Sequence, residues 1–123
     1  MQGLPLTVET THHYLTLTAE DVPDKATQYK CCPPVRGADN REQLWGAVVE
    51  GAIDLVVSDH SPCTADLKRP GEMGFMEAWG GISSLQFGLA LFWTSASGRG
   101  LGLADLNRLM AVEPAKLARL DDR

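Results

Sequence analysis

Asp59 and His60 stand side by side where the run Ile53-Asp54-Leu55-Val56-Val57-Ser58 ends. His12 and His13 stand just beyond Leu4-Pro5-Leu6-Thr7-Val8-Glu9-Thr10. Neutral imidazole is the commonest side-chain metal ligand, and a carboxylate can bind an ion or take a proton. Taken singly, each group has a plainer reading. A lone histidine is more often a hydrogen-bonded loop residue, and Asp59 could make an Asx-turn or cap a helix. Two ligand-bearing segment ends in one short chain point instead to a metal or catalytic site. Three cysteines, Cys31, Cys32 and Cys63, form no CxxC pair, which argues against a structural zinc knuckle. Their simplest role is as small buried side chains.

The elements that must hold these groups follow from the apolar pattern. Ile53, Leu55, Val56 and Val57 form a short run rich in β-branched residues, entered from Gly51 and closed near Pro62. That pattern predicts a strand buried on both faces, hence a parallel sheet, where chemistry sits at the C-terminal strand ends. Leu4 to Thr10 alternates and predicts a second strand. Thr27 to Cys32 predicts a third, stopped by Pro33-Pro34, so the main chain at Cys31 and Cys32 would form a third strand tip. Thr18 to Asp21 has capping-box spacing. Asp39 or Asn40 would cap a helix that buries Leu44, Trp45, Val48 and Val49 on one face and ends at Gly51. Ser61 to Gly74 reads as a loop over the strand tips, with Asp66, Lys68 and Arg69 as ordinary solvated charges. Beyond it, a helix from about Ile82 to Ala96 would bury Leu85, Leu89, Phe92 and Trp93, widened by Phe87 and Leu91. Leu103 to Met110 predicts a short amphipathic helix, and Pro114 opens a last one through Leu120.

At 123 residues the expectation is one domain. The formal net charge of -5 leaves no basic face for a nucleic-acid partner. No apolar run is long enough for a membrane helix, no signal peptide is visible, and the odd cysteine count suggests a reducing cytoplasm. A complete barrel needs about 250 residues, so a βα reading makes this chain part of one.

Four motifs in one order carry a resemblance: Thr11-His12-His13-Tyr14, Lys30-Cys31-Cys32-Pro33-Pro34-Val35-Arg36, Ser58-Asp59-His60-Ser61-Pro62-Cys63 and Ala78-Trp79-Gly80-Gly81-Ile82. Together they resemble the allantoinases, cyclic-amide hydrolases of the amidohydrolase superfamily, from about Leu4 to Leu120. The resemblance implies an α/β fold, the C-terminal portion of a (β/α)8 TIM-type amidohydrolase barrel with about strands six to eight and the helices that follow. Residues 1–123 would be one partial barrel domain. It also implies metal-dependent opening of the hydantoin ring of allantoin to allantoate, in purine catabolism, on a binuclear centre of divalent ions such as zinc. His13 would be a metal ligand, Asp59 a metal ligand and the catalytic proton acceptor, and Cys32, His60 and Cys63 substrate contacts. The complete enzyme would be a homo-oligomer.

The family's His-x-His, carboxylated lysine and further histidine have no counterparts here, and Glu113 stands where many relatives have asparagine before Pro-Ala-Lys. His13 and Asp59 alone cannot hold two ions. Cys63 leans away from the dihydroorotases, which carry a histidine near that place. Two alternatives remain open: a hydantoinase or dihydropyrimidinase-type cyclic amidase, and a non-catalytic truncated protein or assembly partner.

Overall fold

The computed structural model describes residues 5–120; Leu4, the expected start of the first strand, lies outside them. Two short strands, β1 (Glu9–Thr11) and β2 (Leu55–Val57), pair in parallel with Glu9 opposite Leu55, Thr10 opposite Val56 and Thr11 opposite Val57. Both are shorter than their sequence patterns suggest. The register is fixed from outside the ladder: the Asp54 carboxylate accepts the Val8 N–H at 2.7 Å, and the Asp54 N–H donates to the Val8 carbonyl at 2.8 Å.

Five helices follow the chain: α1 (His12–Thr16), α2 (Ala38–Val49), α3 (Gly88–Ser97), α4 (Leu103–Asn107) and α5 (Glu113–Leu117). A wide π-type turn over Arg108–Val112 joins α4 to α5. Pro114 sits in the first turn of α5, as its fixed φ and missing N–H favour. Gly51 takes a left-handed conformation after α2 (φ 76°), the position where a helix exit selects glycine. The start of α2 is capped at a distance. Gly37 precedes it, and the Glu20 carboxylate accepts the Ala38 N–H at 3.1 and 3.2 Å, so neither Asp39 nor Asn40 is the cap. Thr18 to Asp21 makes one 3-10 turn, in which the Thr18 hydroxyl donates to Asp21 at 2.5 Å.

The core gathers Leu15, Trp45, Val48, Ile53, Val56, Phe92, Ala96 and Leu109. Trp45 stacks on Phe92 with ring centroids 5.6 Å apart, and its indole N–H donates to the Leu15 carbonyl at 2.8 Å. Arg99 lies 4.6 Å from the Trp45 ring centre and grips Glu42 through two hydrogen bonds, sealing this cluster.

Three expectations need correction. Thr27 to Cys32 is not a strand: Thr27–Tyr29 is a 3-10 turn, and β1 pairs directly with β2. Its carbonyls are bonded by a lysine instead of a neighbouring strand. The helix expected from Ile82 starts only at Gly88, and the N–H groups of Ser84 and Leu85 ahead of it are bound by His60. Ile82 forms an isolated parallel bridge with His60. Finally, α3 buries Phe92 and Ala96, whereas Leu85, Phe87, Leu89 and Leu91 are exposed, as are Val49 on α2 and Leu103 on α4. Two short strands do not supply the second surface that such a wide apolar face requires.

Candidate active site

The parallel register sets the site. Thr11 is opposite Val57, so His13 and Asp59 each lie two residues past matched ends of neighbouring strands. Thr11 caps α1, its hydroxyl accepting the Tyr14 N–H at 3.4 Å, and this turns both histidines inward. His13 is 3% exposed. Neither ring nitrogen of His12 or His13 has a hydrogen-bond partner. Burial first, then the neighbouring His12, lowers the His13 pKa to about 4, while the Asp59 carboxylate opposes that shift. Near neutral pH His13 is therefore a neutral imidazole with a free lone pair, within electrostatic reach of a carboxylate.

Asp59 is exposed and takes a left-handed backbone conformation (φ 43°), which aspartate tolerates better than most residues. Its neighbour is held by the segment ahead of α3. His60 Nδ1 accepts the N–H groups of Ser84 and Leu85 at 3.0 and 3.2 Å. Accepting at Nδ1 places the His60 proton on Nε2, where it can be donated outward. The Ser84 hydroxyl donates to the Ser58 carbonyl at 2.6 Å, and the Ser61 N–H to the Ile82 carbonyl at 3.0 Å. The strand tip is thus clasped on both sides of Asp59.

Tyr14 joins the first tip to the proline loop. Its ring lies 4.5 Å from that of His13, and its hydroxyl donates to the Pro33 carbonyl at 2.5 Å. Burial, with Cys31 beside it, pushes the Tyr14 hydroxyl well above its usual range, so it stays a donor. Cys32 is exposed, directly before a cis bond to Pro33, and Cys63 is half-buried. A Cβ on Gly80 would fall 2.7 Å from the Cys32 sulfur, so this glycine lets the two loops close.

His12 is buried against α3, where a Cβ on Gly88 would lie 2.5 Å from its Nε2. Burial lowers its pKa, and the nearby Ser84 main chain offsets this only in part, without a hydrogen bond of normal geometry. A cleft of about 340 Å³ opens beside His12 and His13, lined also by Tyr29, Ile82, Ser84 and Phe87.

The fit to a divalent ion is partial. The orphaned nitrogens of His13 and the acidic Asp59 are suitable donors. Among the described residues, however, no three His, Cys, Asp or Glu side chains gather where one ion could sit. The sequence reading missed Tyr14, Ser84 and Lys68 as parts of this region. Lys68, expected to be solvated, is 9% exposed.

Matched parallel strand tips carrying a histidine and an aspartate define a piece of an amidohydrolase-type barrel. Solved structures agree: the D-hydantoinase (dihydropyrimidinase) of Thermus sp. superposes with a TM-score of 0.80 at 29% identity, over 94% of this chain and 26% of that one. The L-hydantoinase (dihydropyrimidinase) of Arthrobacter aurescens gives a TM-score of 0.81 at 33% identity, over 90% and 25%. No family model matches the chain.

In sequence the chain is similar to allantoinases. It is 63% identical to the mitochondrial allantoinase of Aquarana catesbeiana over 96% of its own length and 24% of that protein. It is 54% identical to the allantoinase of Streptomyces avermitilis over 97% and 26%, and 45% identical to that of Arabidopsis thaliana over 99% and 24%. The chain therefore spans about a quarter of the length of the curated relatives it matches. Among the described residues no helix is long and apolar enough to cross a membrane.

Proposed function

We propose that this chain supplies one sector of the active site of a cyclic-amide hydrolase that opens allantoin to allantoate. The observation that carries the reading is the register of β1 on β2, which sets His13 and Asp59 at equal offsets on adjacent tips. The 63% identity to an allantoinase supports allantoin over other cyclic amides, and the hydantoinase alternative rests on fold likeness at lower identity. Residues 1–123 are read as one partial domain, since α1, α2, β2 and α3 share a core.

His13 and Asp59 would hold a divalent ion, zinc or similar, with the remaining ligands of a binuclear centre coming from outside this chain. Such an ion would lower the pKa of a water and polarise the amide carbonyl. Asp59, exposed at its tip, accepts a proton from the attacking water as the new C–O bond forms. It returns that proton to the ring nitrogen as the C–N bond breaks, so Asp59 ends as it began, and the water's second proton is released when the new carboxyl ionises to the carboxylate. His60 is oriented by Ser84 and Leu85 to donate from Nε2 to a substrate oxygen. The main chain at Cys32 and the side chain of Cys63 complete the substrate contacts. A reducing compartment, the cytoplasm, suits three free cysteines. A homo-oligomer of the complete protein is part of this reading.

The test is a chimera in which this chain replaces the matching quarter of the Streptomyces enzyme. The chimera should open allantoin, and Asp59→Asn should lower kcat by at least about a hundredfold, the lower end of what a positioned acid–base group contributes. An Asp59→Asn chimera as active as its parent would overturn the reading.

A further inference from the structure

Lys68 sits in the loop after β2, yet its ammonium is turned away from water. It donates to the carbonyls of Thr27, Gln28 and Lys30 at 3.1, 3.2 and 2.8 Å. In return the Thr27 hydroxyl donates to the Lys68 carbonyl at 2.5 Å. Lys68 makes no ion pair among the described residues. Three donors on three carbonyls satisfy an ammonium in full, and an ammonium is the only side chain with that inventory on a flexible stem.

Those carbonyls belong to the segment that the sequence reads as a strand. A strand there would pass them to a neighbour's N–H groups; the lysine takes them instead. The surrounding bonds run the same way. Lys30 donates through its own ammonium to the Ala78 carbonyl at 2.6 Å, the Gly81 N–H donates to the Lys30 carbonyl at 3.1 Å, and the Trp79 N–H to the Leu67 carbonyl at 2.9 Å. Residues 25–34 and 62–81 are thereby knitted into one body. That body carries Cys32 and, through Gly81 packed on Ser61, reaches the Asp59 tip.

We propose that Lys68 is a positioning residue: its ammonium replaces strand pairing and holds the main chain at Cys31-Cys32 at a fixed height beside the strand tips. The proposal deepens the cyclic-amidase reading and rests on it for its kinetic consequence only. Without the ammonium, three carbonyls lose their shared donor at once, and the segment is held more loosely, by the Gly81 and Lys30 N–H groups and the Lys30 ammonium. Asp59 and His13 are not among the groups that the Lys68 ammonium binds, so the proposal leaves the chemistry at the strand tips in place.

The test uses the chimera with Lys68→Met, which keeps the stem and deletes the donors. Amide exchange at Tyr29, Lys30 and Gly81 should quicken roughly tenfold or more, the factor expected for a lost charge-assisted hydrogen bond, while amides in α2 keep their parental rates. KM for allantoin should rise roughly tenfold with kcat changed less than about threefold, since the substrate's seat moves and the chemistry does not. Unchanged exchange in the loop, or an equal rise in α2, overturns the proposal, as does a fall in kcat at constant KM. Should the chimera be inactive, the exchange pattern alone decides for or against Lys68, and the inactivity counts against the amidase reading. Should the methionine variant not fold, Thr27→Val takes its place: faster exchange confined to the loop supports the clamp, and parental exchange overturns it.

Discussion

At the scale of single residues, three cysteines share one chemistry and differ by setting. Cys32 is exposed, Cys63 half-buried and Cys31 buried beside Tyr14. Burial is the chief cause that raises the Cys31 thiol above its ordinary 9.0; the neighbouring Tyr14 side chain opposes it. A raised acid stays protonated longer in the folded chain than in the unfolded one. Its contribution to stability is therefore full below about pH 9 and is lost as pH rises beyond that. The denaturant midpoint should fall as pH rises past about 9, and Cys31→Ala should flatten that fall. Near neutral pH an alkylating reagent should mark Cys32 first and leave Cys31 for last, as mass spectrometry would show. Equal labelling of the two adjacent thiols would contradict the packing described. His13 and Asp59 were visible in the sequence because ligand-type residues ended two apolar runs. Lys68 was not: a lysine among Asp66 and Arg69 looks solvated, and the carbonyls that bury it lie some forty positions away.

At the scale of elements, α1 rests on α3 through a glycine. A Cβ at position 88 would fall 2.5 Å from Nε2 of the buried His12 ring. Gly88→Ala should cost about 1–3 kcal/mol, the range for overpacking a core. Gly98→Ala is the matched control, with open space around its Cβ and an ordinary φ of -72°. It should lie within about 0.5 kcal/mol of the parent or be slightly more stable, because alanine restricts the unfolded chain. Chemical denaturation of the two variants decides. A Gly88→Ala chain as stable as Gly98→Ala would mean that His12 is not wedged. The β2 strand and the α2 helix were legible in residue pattern, since Val56, Trp45 and Val48 repeat at the periods of their elements. The segment from Thr27 to Cys32 misled because β-branching and a proline stop are compatible with any extended chain. The first turns of the expected α3 misled because the residue that Ile82 pairs with in a parallel bridge, His60, lies far upstream in the sequence.

At the scale of the whole chain, the apolar budget does not close. Leu85, Phe87 and Leu89 are 65%, 61% and 58% exposed along one side of the segment entering α3. The two-stranded sheet is open at both edges, which invites further pairing. In the hydantoinase structures that superpose on this chain, about three quarters of the polypeptide lies outside the matched part. A surface of this kind on a 13.3 kDa chain should drive self-association in isolation. Size exclusion with light scattering should find species heavier than the monomer, and Leu85→Glu with Leu89→Glu should shift them toward it. The same incompleteness governs the metal. Two donors, His13 and Asp59, are fewer than the three or more protein ligands that a tightly held catalytic ion usually has. Calorimetric titration of the isolated chain with zinc should therefore give weak binding, and the chimera should bind it tightly. The difference should vanish when His13→Ala removes the nitrogen donor from the chimera. Tight uptake of two ions by the isolated chain would show that its own residues build the whole centre, and the proposal that this chain is one sector of a larger site would fall.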